Sequence, residues 1–222
     1  MDNIMVNTNQ TPVGMPRIGS PAPQFEAVTT HGVLKLEDFK GSWLVLFSHP
    51  ADFTPVCTTE FIGFAEIHPK LREMNVELMG LSIDSVYSHI AWARNIEEKF
   101  GTKLTFPIIA DLNKEVATLY GMIMPGESKT ETSRAVFVID DKQIIRAIIY
   151  YPLSTGRNMD EILRLIQALQ TADKHSVATP ANWRPGDKVI VSPPKTQEAA
   201  EERMKDGSVE RKDWYFSKKA IK

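Results

Sequence analysis

The chain has 222 residues and nearly balanced charge, 26 Lys and Arg against 28 Asp and Glu, and its length suits one compact domain plus an extension. No stretch carries the basic footprint that nucleic acid requires, and the longest apolar runs fall far short of a membrane span. A single cysteine, Cys57, excludes an internal disulfide and speaks against a cysteine-rich metal site.

Residues 1–16 are polar and lack the charged-then-apolar pattern of a signal peptide, so they read as a flexible N-terminal segment. One free cysteine fits a reducing compartment, and cytoplasm is the default expectation. The first strong element is Trp43-Leu44-Val45-Leu46-Phe47, nearly all apolar as in a strand covered on both faces. Pro50 and Pro55 then break the chain. Thr54 suits an N-cap and Pro55 the first helical position, where a missing N–H costs nothing. Phe61, Phe64, Ile67, Leu71 and Met74 follow at three- and four-residue steps, predicting one apolar helix face. Cys57 therefore falls at about the third helical residue, among N–H groups that lack intrahelical partners. Those donors and the helix dipole favour negative charge on its sulfur. Free cysteine is also among the most often buried residue types, so position alone leaves an inert hydrophobe and a reactive thiol both open.

Residues 76–83 read as a strand, and Asp84 or Ser85 as the cap of a helix through Ile90, Trp92, Ile96 and Phe100 that Gly101 ends. Phe106-Pro107-Ile108-Ile109 predicts a short strand whose proline marks a sheet edge or a strand end. Residues 114–120 predict a short helix, and residues 134–139 and 143–150 a hairpin across Asp140-Asp141. Ile162, Leu165, Ile166 and Leu169 give residues 158–172 a helical period. Strands alternating with helices, then a hairpin and a helix, fit an α/β layer fold. From about Val177 the composition shifts. Pro180, Pro185, Pro193 and Pro194 flank a short strand at 188–191, a helix is expected at 198–205, and Trp214-Tyr215-Phe216 lies near the end. That aromatic cluster suits either an interface or packing on the chain's own core.

The pattern Pro50-x-x-x-Thr54-x-x-Cys57 resembles the active-site signature of the peroxiredoxins, thiol peroxidases on a thioredoxin-like fold. The longer string from Phe47 to Glu60 looks like the one-cysteine, peroxiredoxin-6-like branch. So do Asp84-Ser85-Val86-Tyr87-Ser88-His89, Phe106-Pro107-Ile108 and Ser154-Thr155-Gly156-Arg157-Asn158. The resemblance runs from about Pro16 to the C-terminal region. It implies an α/β thioredoxin-like domain over residues 17–176 and a C-terminal dimerisation arm over residues 177–222.

The resemblance also implies the site. Cys57 would attack a peroxide oxygen, release water or an alcohol, and become a sulfenic acid. Thr54 would hydrogen-bond peroxide and sulfur, and Pro50 would shield the site. Arg134 matches the family's active-site arginine, Arg157 the second arginine that supports it, and His49 the histidine beside the site in this branch. Without the family, Arg134 reads as a surface charge, His49 as a satisfied histidine at a strand end, and Thr54 as a helix cap only. An unperturbed thiol of pKa ~8.5 is about 3% ionised at pH 7, so ionisation alone gains at most about 30-fold. Charge developing on the leaving oxygen needs preorganised donors, a task for Arg134 and the first-turn N–H groups.

No second cysteine exists to resolve the sulfenic acid, so an external thiol reductant is expected. Some similar archaeal-type proteins place cysteines near the end, around an Asp-Trp-aromatic-Phe string, and this chain has Ser217 where such a cysteine would be. Some relatives have been assigned a phospholipase activity at a Gly-Asp-Ser-Trp string with an upstream histidine. Here the string reads Lys40-Gly41-Ser42-Trp43, the stretch before it holds no histidine and the only earlier one is His31, so that activity is not carried over. His31, His68, His89 and His175 show no ligand spacing, and no metal or other cofactor is implied. The expected partners are a peroxide, the thiol reductant and further copies of the chain, as a dimer or a ring of dimers. A non-enzymatic redox sensor or holdase chaperone on the same fold is the alternative, and a binding protein with an inert cysteine the third reading.

Overall fold

The computed structural model describes residues 15–221, so the expected flexible segment lies outside the described residues except for Met15 and Pro16. The chain enters through a hairpin, β1 (Glu26–Thr29) and β2 (Gly32–Lys35), turned at Gly32 with φ 97°. Its residues are mostly exposed, which is why no apolar alternation announced it. A 3-10 turn over Leu36–Phe39 buries Leu36 and leads to β3 (Trp43–Ser48), buried at every residue.

The helix after the two prolines is α1 (Pro55–Glu73), with Thr54 at its N-cap. Its buried face is Cys57, Phe61, Phe64, His68 and Leu71, with Glu60 buried beside it. The expected periodicity holds, but His68 takes the inward place assigned to Ile67. Its Nδ1 meets the Thr105 hydroxyl at 2.8 Å, which satisfies one of its two nitrogens.

β4 (Val76–Ser82) and α2 (Val86–Phe100) follow. Ser85 caps α2 by accepting the Ser88 N–H, and Gly101 ends it in a left-handed turn at φ 70°. The buried face of α2 is His89, Trp92 and Ile96, whereas Ile90 and Phe100 on the same helix are exposed. β5 (Ile108–Ala110) lies between β1 and β4, so Pro107 marks the strand's start and not a sheet edge. The carboxylate of Asp111 accepts the N–H groups of Glu115, Val116 and Ala117, starting α3 (Glu115–Leu119). The hairpin of β6 (Arg134–Ile139) and β7 (Ile145–Tyr151) turns more widely than expected, because Asp140 Oδ1 accepts from both Lys142 and Ile144.

These strands form one seven-stranded sheet in the order β2-β1-β5-β4-β3-β6-β7. β3 runs parallel to β4 and β4 to β5, while the other pairs are antiparallel. Parallel neighbours joined through helices bury both faces of the central strands, which accounts for the unbroken apolar run of β3.

The structure divides into two compact units between Arg157 and Asn158. The second begins with α4 (Met159–His175), whose N-cap Asn158 accepts the Glu161 N–H. It continues with β8 (Val189–Val191), α5 (Gln197–Lys205), β9 (Glu210–Asp213) and β10 (Phe216–Lys219). Its three strands pair in the order β8-β10-β9, and its small core joins Ala168, Trp183 and Val189. The charged composition of β9 and β10 hid them in the sequence. Trp214 and Tyr215, at the turn between β9 and β10, and Phe216, which opens β10, are all exposed. Ser217 is fully buried with no hydrogen-bond partner for its hydroxyl. No helix of the described residues is long and apolar enough to cross a membrane.

Candidate active site

The C-terminal end of β3 delivers the chain to the turn that starts α1. Ser48, its last residue, donates to Ser133 O at 2.6 Å and accepts the Ala135 N–H at 3.1 Å. This stitch ties the end of β3 to the start of β6 and so brings Arg134 over the first turn of α1. Cys57 is the third residue of that helix and fully buried. The backbone ladder begins with the Thr58 N–H on Thr54 O, so the N–H groups of Val56 and Cys57 precede it, as expected at a helix start.

Arg134 Nη1 donates to Cys57 Sγ at 3.3 Å and to Glu60 Oε2 at 2.6 Å. Its Nε and Nη2 grip Leu153 O at 3.0 and 2.7 Å, fixing the plane of the guanidinium. Arg157 holds Glu60 from the other side and spends Nη1 on Ser48 O and Ala135 O, each at 2.9 Å. Its guanidinium also lies over the Phe47 and Phe64 rings, 5.3 and 5.2 Å from their centroids, a cation–π arrangement.

Glu60, Arg134 and Arg157 are all buried. Burial pushes the Glu60 carboxyl up, but the Arg157 and Arg134 guanidiniums outweigh it and hold the group below the usual carboxylate range. Burial likewise lowers Arg157 from its ordinary value against the opposing pull of Glu60, though an arginine stays protonated in proteins. Two guanidiniums against one carboxylate leave one buried positive charge uncompensated, and Cys57 Sγ lies against it. An anionic sulfur restores neutrality in a region where stray charge is costly.

The other expected residues surround this cluster unequally. Pro50 is buried and Thr54 half-buried. The Thr54 hydroxyl makes no capping bond; it donates to Ala51 O at 2.9 Å, which leaves its lone pairs free to accept. His49 is wholly buried, stacked on Trp92 at 5.2 Å between centroids and edge-on to Phe61. Its Nε2 meets Asp52 Oδ1 at 2.9 Å, and its Nδ1 has no partner. Burial lowers the His49 imidazole from its ordinary value, against the pull of Asp52.

Three functional candidates carried no role in the sequence reading. Glu60 sits three residues after Cys57 on the inward side of α1, where a carboxylate is out of place unless paired. Asp52 and His89 lie 37 positions apart in sequence yet touch through Asp52 Oδ2 and His89 Nδ1 at 2.8 Å. Only the first of these left a signal in the sequence.

Residues 18–148 match the AhpC/TSA family, and residues 168–207 match the C-terminal domain of 1-Cys peroxiredoxin. A peroxiredoxin of Aquifex aeolicus is 58% identical over 220 residues, covering 94% of this chain and 99% of its own. A solved yeast mitochondrial 1-Cys peroxiredoxin superposes with a TM-score of 0.84 at 44% identity, over 93% of this chain and all of its own. That protein's thiol-resolving mechanism is described as running via glutathione/thioredoxin systems. A cysteine-to-serine mutant of peroxiredoxin 6 from Arenicola marina gives a TM-score of 0.83 at 38% identity, over 92% and 97% of the two chains. The mixed sheet with its helices is accordingly a thioredoxin-like fold, with extra strands at the C-terminus.

Proposed function

We propose, for a chain that belongs to the AhpC/TSA family and carries the C-terminal domain of the one-cysteine peroxiredoxins, that Cys57 is the peroxidatic nucleophile of a thiol peroxidase. The peroxidase activity follows from the family; the residue roles are our reading. The observation that carries them is the Arg134 guanidinium bridging Cys57 Sγ and Glu60.

In this reading the thiolate attacks one peroxide oxygen as the O–O bond breaks. The sulfur is oxidised to a sulfenic acid, and the departing oxygen takes up a proton to leave as water or an alcohol. Arg134 and the first-turn N–H groups stabilise the charge that grows on that oxygen. Thr54, its own proton committed to Ala51 O, accepts from the peroxide O–H. Glu60 and Arg157 act through Arg134 by holding it in place, and Pro50 and His49 wall the site.

With one cysteine, resolution requires an outside thiol: it condenses with the sulfenic acid, releasing water, and a second thiol then frees Cys57 as a disulfide leaves. The yeast relative supports glutathione- or thioredoxin-type thiols as the class to try. Our reading also keeps residues 17–176 as the peroxidase domain, residues 177–222 as the arm of a homodimer, and the cytoplasm as the location. The exposed Trp214, Tyr215 and Phe216 support the arm assignment.

Stopped-flow oxidation of the reduced protein with one equivalent of hydrogen peroxide tests the core reading, with Trp fluorescence as signal and intact mass as check. Rapid gain of a single oxygen, abolished in Cys57→Ser, is expected. A rate no faster than that of a free small thiol would make Cys57 a sensing or inert residue.

A further inference from the structure

We propose that Asp52 and His89 form a buried carboxylate–imidazolium pair that fixes the tautomer of His49 and the turn carrying the chain into the cysteine helix, which makes both of them positioning residues. The kinetic part rests on the peroxidase reading of Cys57; the charge state does not.

The hydrogen bonds of His89 decide its protonation. Nε2 lies 3.0 Å from Ile109 O, a carbonyl that only accepts, so Nε2 carries a hydrogen. Nδ1 lies 2.8 and 3.0 Å from both oxygens of Asp52. An N–H shared between two carboxylate oxygens accounts for both distances, whereas a single carboxylic O–H would engage one. Both ring nitrogens therefore donate, and His89 is an imidazolium. Burial pushes the Asp52 carboxyl up, but the His49 and His89 hydrogen bonds outweigh it and hold the group well below the usual carboxylate range.

Ionised Asp52 then has only acceptor capacity left, so the His49 nitrogen 2.9 Å from its Oδ1 must be protonated. A neutral His49 is thereby held as the Nε2–H tautomer, with Nδ1 bare among Phe61 and Trp92. The three groups lie within 4.8 Å of one another, a spacing that could also suit a metal ion. These donor and acceptor roles satisfy every contact among them without one.

The same residue pins the backbone. The Asp52 N–H donates to Asp84 Oδ2 at 3.0 Å, and Asp84 in turn accepts from Ser82 Oγ at the end of β4. The His49 N–H donates to Leu81 O, and His49 O accepts the Thr132 hydroxyl at 2.6 Å. Between this anchor and Thr54 stands Phe53 at φ 55°, a left-handed conformation that an aromatic residue holds only when its surroundings enforce it. His89, projecting from α2, supplies the charge that keeps the anchor ionised. Among the described residues, Asp52 and His49 are the titratable groups that meet its ring, and Asp84 holds the Asp52 N–H.

Long-range 15N–1H NMR of the reduced, labelled full chain at neutral pH reads the protonation of each imidazole nitrogen, with His89→Gln and His49→Gln spectra assigning the signals. We expect both nitrogens of His89 to be protonated, and His49 to show a protonated Nε2 and a bare Nδ1. A bare nitrogen on His89 overturns the pair. In Asp52→Asn, whose amide can both donate and accept, the His49 tautomer should lose its fixed signature, and oxidation of Cys57 by hydrogen peroxide should slow on the order of 10-fold or more. Folded Asp52→Asn and His89→Gln proteins that both keep the wild-type rate overturn the positioning role. Should either variant fail to fold, the wild-type spectrum still decides the charge state. A slow wild-type protein would instead remove the peroxidase reading while leaving the charge state read from the spectrum intact.

Discussion

Arg157 holds Glu60 at three points: its backbone N–H and Nε both donate to Oε1, at 2.9 and 2.8 Å, and its Nη2 donates to Oε2 at 2.7 Å. A carboxylate so fixed cannot swing, and the oxygen that also receives Arg134 sets where that second guanidinium can lie. The position of the group that touches sulfur thus depends on a residue that does not.

Arg134→Ala should slow peroxide attack by about 10²- to 10³-fold, the usual effect of removing one preorganised donor. The deficit should persist when pH is raised until the rate levels off, because ionising the thiol does not replace a donor lost from the transition state. Stopped-flow kinetics of the variant from pH 6 to pH 10 provides the check. A variant that recovers the wild-type rate on its upper plateau would leave Arg134 no role beyond ionisation. Arg134→Lys should recover little, because a point charge cannot reach sulfur, Glu60 and Leu153 O together.

Glu60→Gln should cost about 3–5 kcal/mol of folding stability, because it leaves two guanidiniums buried without their counter-charge. Urea titration measures the loss. The wild-type protein should also lose stability in acid. Glu60 and Asp52 both have folded-state values below their ordinary 4.5 and 3.8. Their contributions are therefore complete above about those values and vanish as pH falls through the lower folded-state ones. Glu60→Gln should flatten the acid limb; an unchanged limb would mean that this carboxylate does not govern it.

His68 gives a second pH dependence of separate origin. Burial lowers its imidazole below the ordinary 6.5, and its Nε2 is buried without a hydrogen-bond partner, with Glu77 Oε2 at 4.0 Å. The unfolded chain takes up this proton more readily than the folded one. Stability should hence be full above about pH 6.5 and decline as pH falls below it. His49, also lowered by burial, adds in the same direction. His68→Gln should reduce the slope of denaturation midpoint against pH below 6.5, and an unaltered slope would assign the effect elsewhere.

Gly80→Ala should destabilise the protein by about 1–3 kcal/mol through overpacking. A Cβ there would stand 3.2 Å from the Phe61 ring tip and 3.3 Å from that of Phe47. Phe47 is stacked on Phe64 at 3.9 Å between centroids and edge-on to Phe61, so neither ring can easily yield. Phe61 lies one turn beyond Cys57, so peroxide oxidation should slow in the same variant. Thermal denaturation and the stopped-flow assay test the two effects, and a Tm equal to that of wild type would show that the cluster gives way.

Local patterns along the chain were enough for one part of the molecule. The unbroken apolar run made β3 a central strand, and Pro50, Thr54 and Pro55 started α1 where expected and set Cys57 at its third residue. Together with the family strings, that was enough for the reaction class and for naming six candidate site residues. Short-range signals failed where burial came from distant partners. The β1–β2 hairpin and the strands β9 and β10 are too exposed or too charged to show a period of two. His68 displaced Ile67 from the inward face because Thr105, far along the chain, satisfies one of its nitrogens. Glu60 shows in the sequence only as a carboxylate on the inward side of α1, and its two guanidiniums arrive with β6 and the turn at Arg157. Asp52 and His89 carry no pairing signal at all, because a buried charge is tolerated only when its partner arrives, and only the packing of α2 against the end of β3 supplies that partner.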